Sequence, residues 1–471
     1  MLFNSYSFLL FLGVTFLLYY TPFLRKYQRQ LLVFASFFFY SFEKPVLLFL
    51  LLASILINSI CSYWIIHARD SYRKATLAIG LIANLSLLAF FKYAPLISST
   101  FSAFGSSNDF HDFIAGIPLP LGISFYTFQG ISLLVDCYRM HEAGTDEVIR
   151  IDSFPSHLLH TTLFISFFPH QVAGPIVKAH LFFPQIKNKS LKDIEIYAAF
   201  RTIVTGYFLK TVIADNLKDQ TFWLDYPYFQ YFSTTILFTL LFGFSIQIFS
   251  DFAGYTLIAI GIARLFGYEL TRNFLFPYIA ISFSDFWKRW HISLSSWLRD
   301  YLYIPLGGNR ANLLRTCINM MIVMILGGLW HGAAWGYAIW GAFHGILLVA
   351  ERLLARFIKL PESLFVTGLR ILLVFVMVSF AWTLFRIHEW QHVVLFISSV
   401  KNNIHIPTDY AAIAAVLLLS LPVFVYHIMY LVRENPSGIL IKKYEGILYG
   451  CMIFFIIFNA GNPGKFIYFQ F

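Results

Sequence analysis

The chain has 471 residues, of which 58% are hydrophobic and only 12% are charged, and its mean hydropathy is +0.69. A water-soluble domain with so few charges would expose large apolar patches, whereas a lipid bilayer accepts repeated spans of about 20 apolar residues. The composition therefore excludes an ordinary soluble enzyme and predicts a multi-pass membrane protein. Basic cytoplasmic loops explain the net charge of +10, which does not indicate a nucleic-acid partner.

Apolar runs recur along the whole chain at lengths that suit helices crossing a bilayer. They predict an all-α polytopic membrane protein with about 11–12 tilted transmembrane helices. No internal repeat or soluble domain is evident, so residues 1–471 are predicted to form a single integral membrane domain. The predicted spans lie near residues 6–21, 31–42, 46–66, 75–93, 118–138, 196–214, 232–262, 312–329, 332–350, 364–385, 411–432 and 446–460.

Two early segments differ from simple spans. The run at 31–42 is short and ends before Glu43, Lys44 and Pro45, so it is interpreted as half of a broken helix or as a tilted span. The run at 158–172 leads into Phe-Pro-His-Gln-Val-Ala-Gly-Pro at 168–175, which indicates a re-entrant or interfacial segment. Basic residues fall on alternate loops, and the positive-inside rule assigns that side to the cytoplasm.

An amphipathic helix is predicted from Trp287 to Tyr301. At 100° per residue its apolar side chains fall within an arc of about 120°, with Ile292 outside it, so the helix is expected to lie at the cytoplasmic surface. His291 is the only ionisable residue on the apolar arc and is predicted to point inward. Two interpretations stay open: His291 takes part in function, or it binds a backbone carbonyl and fixes the helix in place.

His331 lies in a stretch that is as apolar as a membrane span, Leu-Gly-Gly-Leu-Trp-His-Gly-Ala-Ala-Trp at residues 326–335. Hydrocarbon does not solvate an ionisable side chain, so such residues usually face a cavity, a partner or a substrate path. A neutral imidazole at this position would be able to accept a proton. His331 is therefore the first candidate for a catalytic residue.

Glycines at four-residue spacing, Gly328, Gly332 and Gly336, predict close helix packing beside His331. His344 follows thirteen residues after His331. On a continuous helix it would lie about 20 Å along the axis and about 220° around it. The two histidines are therefore predicted not to share a reaction centre unless the helix breaks at Gly332 or Gly336.

Other polar residues in the apolar runs have weaker functional signals. Gln129 and Asp136 either line a polar cavity or bind a neighbouring helix, and Asp251 either orients a catalytic group or holds two spans together. His427 is predicted to be an ordinary core histidine. No spacing of Cys, His and carboxylate residues is typical of a metal centre, so no metal site is predicted.

Four segments together resemble the membrane-bound O-acyltransferase (MBOAT) family, specifically its bacterial branch related to alginate O-acetylase and peptidoglycan O-acetylase. The last two of the four are the most specific, and the C-terminal Phe-Ile-Tyr-Phe-Gln-Phe at 466–471 looks like the same branch. The segments are Pro-Leu-Pro-Leu-Gly-Ile-Ser-Phe-Tyr-Thr-Phe-Gln at 118–129 through Asp-Cys-Tyr-Arg at 136–139, Phe-Pro-His-Gln-Val-Ala-Gly-Pro-Ile at 168–176, Ser-Asp-Phe-Trp-Lys-Arg-Trp-His at 284–291 through Pro-Leu-Gly-Gly-Asn at 305–309, and Leu-Trp-His-Gly-Ala at 329–333.

The resemblance implies a fold, a site and a reaction. The fold would be an MBOAT-like ring of tilted helices, with re-entrant and amphipathic interfacial helices around a central tunnel. His331 matches the family's invariant catalytic histidine, and His291 matches its second histidine. The protein would be a membrane O-acetyltransferase with acetyl-CoA as acyl-donor substrate and no bound cofactor. Residues expected to line the substrate tunnel are Gln129, Gly174, Trp290, Asn309 and Trp330.

The resemblance also implies partners and a location. The acceptor would be an exported polysaccharide, reached through a periplasmic or membrane-anchored SGNH-type acetyltransferase, and the protein would reside in the bacterial cytoplasmic (inner) membrane. Our mechanistic hypothesis is that neutral His331 acts as general base toward an acceptor hydroxyl, while His291 orients the thioester. Two alternatives remain: D-alanyl transfer to teichoic acid from a carrier-protein thioester, and a polysaccharide or solute transporter that uses the histidines as a proton relay.

Overall fold

The computed structural model describes residues 1, 3–94, 120, 122–171, 174–310, 312–358, 361–387, 389–433 and 443–462. These residues contain helices and no strand. The chain folds into two compact units, Met1–Ile203 with Ile258–Thr271, and Val204–Leu257 with Arg272–Phe471. The C-terminal segment at 466–471 that carries part of the family resemblance lies outside the described residues.

The first unit contains the helices of the N-terminal half of the chain. Its final stretch, residues 258–271, includes the end of a long helix that begins in the second unit. The helices are α1 Tyr6–Tyr20, α2 Gln28–Ser41, α3 Leu47–His67, α4 Asp70–Leu88, α5 Ile123–Glu142, α6 Phe154–Ser166, α7 Phe168–Gln171, α8 Ala179–Phe182 and most of α9 Ile196–Tyr207.

The second unit contains the remaining helices and both histidines of the predicted site. A π-helical turn, Phe208–Ala214, joins α9 to the next helix. The helices are α10 Asp215–Thr221, α11 Thr234–Leu265 up to residue 257, α12 Phe283–Arg289, α13 Ile292–Leu298, α14 Leu313–His331, α15 Trp335–Leu354, α16 Leu364–Arg386, α17 Trp390–Asn402, α18 Tyr410–Arg433 and α19 Glu445–Phe458.

Seven of the described helices are long and apolar enough to cross a membrane, and a bent pair raises the number to eight. The prediction of an all-α polytopic membrane protein is confirmed. The spans are Leu47–His67, Asp70–Tyr93, Thr234–Leu265, Leu313–His331, Trp335–Leu354, Leu364–Arg386 and Tyr410–Leu431. The bent pair is α1 with the segment Pro22–Ser41, at 96°, so the short run at 31–42 belongs to a broken span or a re-entrant loop.

The predicted count of about 11–12 spans also included shorter or more polar helices. Helix α5 carries Gln129, Asp136 and Arg139, which lower its hydropathy. Helix α19 has 14 residues, and the predicted span at 196–214 is interrupted by the π-helical turn after Tyr207. These elements do not have the length and apolar composition of a simple span.

Helices α14 and α15 form an antiparallel hairpin packed through glycines. A Cβ atom at Gly328 would overlap the carbonyl oxygen of Tyr337, and one at Gly341 would overlap the carbonyl oxygen of Met324. The close packing predicted from the glycine spacing is confirmed. Helix α14 ends at His331, and Gly332 after it is the C-cap residue, with an extended backbone at φ of −164°. A continuous helix through His331 and His344, on which their separation was predicted, therefore does not form.

The glycine packing of the hairpin predicts a paired stability experiment. Gly341→Ala is expected to lower the free energy of unfolding by about 1–3 kcal/mol, because its methyl group has to push two backbones apart. The matched control is Gly368→Ala on α16, where a Cβ atom has open space. That change should raise stability by about 0.5–1 kcal/mol through helix propensity alone. Denaturant unfolding in detergent measures both, and equal effects would contradict the packing argument.

Candidate active site

His291 lies at a break between two helices. Helix α12 ends at Arg289, α13 begins at Ile292, and His291 has a left-handed backbone with φ of +44°. This conformation is unusual for a residue other than glycine. The N–H of Ile292 donates to the Asn273 carbonyl at 2.9 Å, and the N–H of Ser293 donates to Asn273 Oδ1 at 3.3 Å. The prediction of one continuous amphipathic helix is wrong, because Asn273 stabilises a turn that local periodicity does not reveal.

A carboxylate fixes the start of α12 against the hairpin. Glu351 of α15 accepts hydrogen bonds from the N–H of Phe283 at 2.6 Å and of Ser284 at 3.3 Å. A carboxylate at a helix N-terminus satisfies free amide groups and interacts favourably with the helix dipole. Helix α12, which leads directly into His291, is therefore held by the same hairpin that carries His331.

The predicted pair of histidines lies together in the second unit. Their ring centroids are 6.2 Å apart, and the His291 ring lies 4.7 Å from Phe252 and 5.7 Å from Trp330. His291 is fully buried, so the prediction that it points inward is confirmed. Burial lowers the pKa of His291 to about 3. Its ring is therefore neutral at neutral pH.

Aromatic rings surround His331 at the C-terminal end of α14. Its centroid is 5.1 Å from Trp330, 5.3 Å from Trp340 of α15 and 5.4 Å from Phe385 of α16, and the side chain is 5% exposed. Such a pocket excludes water and has a low dielectric constant, which strengthens interactions with charge that develops during a reaction. The arrangement suits a neutral base that acts on a substrate shielded from solvent.

Two of the five expected tunnel residues lie beside the histidines in this unit. Trp330 precedes His331, and Trp290 is buried with its ring 4.9 Å from Phe274. Asn309, in contrast, lies in an exposed turn where its Oδ1 accepts a hydrogen bond from the Tyr303 hydroxyl at 2.7 Å. The structure therefore does not bring Asn309 into the aromatic cluster.

The other two expected tunnel residues meet in the first unit at His170. Gln129 Nε2 lies 2.7 Å from His170 Nε2, and the N–H of Gly174 donates to the His170 carbonyl at 3.2 Å. A Cβ atom at Gly174 would overlap His170 Cα, so only glycine permits this approach. Gln129 is buried and binds a neighbouring segment. His170 lies in the short helix α7, within the segment predicted to be re-entrant or interfacial, so this contact joins that segment to α5.

Asp251 belongs to a buried ionic cluster in the second unit. Lys210 Nζ lies 2.7 Å from Asp215 Oδ1 and 2.7 Å from Asp251 Oδ1, and all three side chains are at most 5% exposed. Lys210 is on the π-helical turn and Asp251 is on α11. Between the two functions considered for Asp251, this contact favours holding two segments together. Among the described residues, no group of three His, Cys, Asp or Glu side chains is placed to hold a metal ion.

Sequence reasoning missed several residues that shape the site. Trp340 and Phe385 contact His331, and Phe252 contacts His291. The contact between Trp340 and His331 could have been predicted from the sequence, because a helix break at Gly332 would fold the following helix back along α14. Phe252 and Phe385 come from distant helices, and nothing in their local sequence indicates the contact.

The family model described as MBOAT, membrane-bound O-acyltransferase family, matches residues 9–388. The match covers most of the chain, which therefore belongs to this family and is an O-acyltransferase with several membrane-spanning helices. The two histidines lie within the matched region.

Curated relatives are similar over most of their length. A peptidoglycan O-acetyltransferase of Helicobacter pylori is 37% identical over 420 residues, covering 82% of this chain and 77% of the relative. A probable alginate O-acetylase AlgI of Azotobacter vinelandii is 36% identical over 398 residues, covering 82% and 75%. A teichoic acid D-alanyltransferase of Bacillus subtilis is 28% identical over 286 residues, covering 58% and 70%.

Proposed function

We propose that the protein is an O-acetyltransferase of the bacterial inner membrane that moves acetyl groups from cytoplasmic acetyl-CoA toward hydroxyls of an exported polysaccharide. The observation that carries the proposal is the buried His291 and His331 pair, 6.2 Å apart, in a chain of this family. The names of the two acetylase relatives support acetyl as the transferred group and a cell-surface or extracellular polysaccharide as the final acceptor.

The proposed reaction needs one proton acceptor and one group that positions the thioester. An acceptor hydroxyl attacks the thioester carbonyl while His331 takes the hydroxyl proton. The C–S bond then breaks, His331 returns the proton to the departing sulfur, and the products are an acetyl ester and free CoA thiol. Neutral His291 donates a hydrogen bond to the carbonyl oxygen as negative charge develops there.

A second protein completes the proposed pathway. The acetyl group passes to a periplasmic or membrane-anchored SGNH-type acetyltransferase, which modifies the polysaccharide. The immediate acceptor of this chain is then a hydroxyl of the partner.

Vesicles with a defined interior test the proposal. Purified protein is reconstituted with labelled acetyl-CoA inside and a mixture of alginate oligomers and peptidoglycan fragments outside, with and without a candidate SGNH partner. We expect label on an outside acceptor, matched by CoA thiol released inside, for wild type but not for His331→Ala. Label that moves only from an aminoacylated carrier protein would favour D-alanyl transfer, and proton-coupled solute movement without thiol release would indicate a transporter.

A further inference from the structure

A third histidine, His344, lies in the hairpin on the side of the basic surface. Antiparallel packing sets Gly341 against Met324 and Gly345 against Met321, so His344 is level with residues two to three turns before His331. That displacement is about 10–15 Å along the axis, toward the start of α14. The segment 288–315, which leads into the first turn of α14, is rich in Lys and Arg, and the positive-inside rule places such a segment on the cytoplasmic side. A molecule that reaches His331 from the cytoplasm would pass His344 first.

Aromatic side chains from two elements enclose His344. Its ring centroid lies 4.8 Å from Trp340, 5.2 Å from Trp287 and 6.2 Å from Phe286, which it faces with nearly parallel planes. Trp340 also contacts His331 at 5.3 Å, so one indole lies between the two imidazoles. The rings of Trp287 and Trp340 are themselves 5.8 Å apart. Together, His344, Trp287 and Trp340 form a compact group that we call the indole seat.

The polar atoms of the indole seat have no hydrogen-bond partner within the described part of the chain. This holds for both ring nitrogens of His344 and for the indole Nε1 of Trp287 and of Trp340. Other buried histidines differ: His157 Nε2 lies 2.7 Å from the Ser62 hydroxyl, and His427 Nδ1 lies 2.8 Å from the Val423 carbonyl. His344 is fully buried, so bulk water does not replace the missing partners.

Unsatisfied polar atoms inside a protein are costly, and four of them within one compact group can be satisfied by a bound molecule that supplies the partners. A neutral imidazole has one N–H donor and one nitrogen acceptor, and each indole adds a donor. The complementary group must therefore accept from an N–H and donate to a ring nitrogen at the same place. An amide does both, whereas a hydrocarbon chain or a lone carboxylate does not.

We propose that the indole seat binds an amide of the pantetheine arm of the thioester donor, an inference that rests on the proposed function. The arm carries two amides beyond its sulfur, and its length compares with about four extended residues, or about 14 Å. That length covers the separation between His331, where the thioester reacts, and His344. Coenzyme A and an acyl carrier protein share this arm, so the indole seat recognises the chemistry common to both.

A series of donors that differ in their amides tests this assignment. The donors are S-acetylpantetheine with two amides, N,S-diacetylcysteamine with one, and S-acetyl-2-mercaptoethanol with none. Acetyl transfer to the acceptor identified with acetyl-CoA is measured for wild type, His344→Phe and the buried control His427→Phe. For wild type we expect kcat/KM to fall about 3- to 10-fold for each amide that loses a hydrogen bond, mainly through KM.

Interaction between the variant and the donor gives the decisive readout. In His344→Phe the dependence on one of the amides should shrink at least about threefold, while His427→Phe keeps the wild-type ratios. A purely structural role for His344 would lower the rates with all donors alike and leave their ratios unchanged, which would overturn the proposal. The ratios also separate the two ideas: acetyl transfer with unchanged ratios contradicts only the indole seat, whereas absence of transfer from any thioester contradicts the proposed function.

A second variant keeps the proposal testable if His344→Phe does not fold. Trp287→Phe keeps an aromatic ring against His344 while it removes the indole N–H with the five-membered ring, and it should reduce the same amide dependence. Acetyl-CoA and an acetylated acyl carrier protein are then compared with wild type to identify the source of the arm. The donor that wild type uses with the higher kcat/KM is the source of the arm. In Trp287→Phe, a smaller advantage of pantetheine-containing donors over donors without amides supports the indole seat, and an unchanged advantage contradicts it.

Discussion

Replacement of His331 by alanine is expected to lower acetyl turnover at least about 10²- to 10⁴-fold, the usual contribution of a positioned general base. The imidazole lies in an aromatic pocket, 5% exposed, and the imidazole in ring contact with it is that of His291. Because the pKa of His291 is lowered to about 3, that residue is a hydrogen-bond donor and is poorly suited to replace His331 as the base. Initial rates with saturating acetyl-CoA measure the loss.

Two controls give this result its meaning. His405→Ala removes an exposed histidine outside the site and should leave turnover within about twofold of wild type, since surface changes have small effects. His291→Ala should reduce turnover less than His331→Ala. A folded His331→Ala protein with a thermal midpoint and a rate near those of wild type would refute the assignment of the base.

The largest expected effect on stability comes from Lys210. Its ammonium group neutralises one of two buried carboxylates, with 2.7 Å to each of Asp215 and Asp251. Lys210→Met keeps the length of the side chain and removes the ammonium group that both carboxylates contact. Removal of one partner of a buried ion pair costs about 3–5 kcal/mol, so the unfolding midpoint in detergent should fall sharply.

A lysine on the next helix provides the comparison. Lys218 has a side chain 36% exposed and lies 4.0 Å from Asp219, and Lys218→Met should change stability by less than about 1 kcal/mol. Adding Asp251→Asn to Lys210→Met should restore part of the loss, because it removes one of the two negative charges from the buried cluster. Equal destabilisation by the two lysine variants would show that burial of the cluster does not determine its contribution.

Hydrophobic pattern predicted the helical membrane fold well because a bilayer imposes a simple length and composition on each span. Two described helices within the predicted spans differ from a simple span for opposite reasons: α5 carries polar residues and is mostly buried, whereas α19 is apolar and exposed but has only 14 residues. A buried helix such as α5 needs no apolar outer surface, and a helix of 14 residues is too short to cross a bilayer alone.

The candidate site could be predicted where the residue type and its apolar surroundings were enough to identify it. It could not be predicted where it depends on a turn of the backbone. His331 is conspicuous in its apolar run. The inward direction of His291 was predicted correctly, although the continuous helix on which that prediction was based does not form. The turn at His291 depends on Asn273, which is remote in sequence from it. The separation predicted for His344 assumed a continuous helix, and the extended backbone at Gly332 removes that assumption.

The hydrogen bonds from α12 to Glu351 couple the position of His291 to that of His331. His331 is the last residue of α14, and α15 packs on α14 through glycines. Glu351 of α15 accepts hydrogen bonds from the N-terminus of α12, the helix that leads into His291. A tilt of the hairpin in a thinner or thicker bilayer therefore carries both imidazoles together. We therefore expect the 6.2 Å separation of the two rings to change little when the thickness of the surrounding bilayer changes.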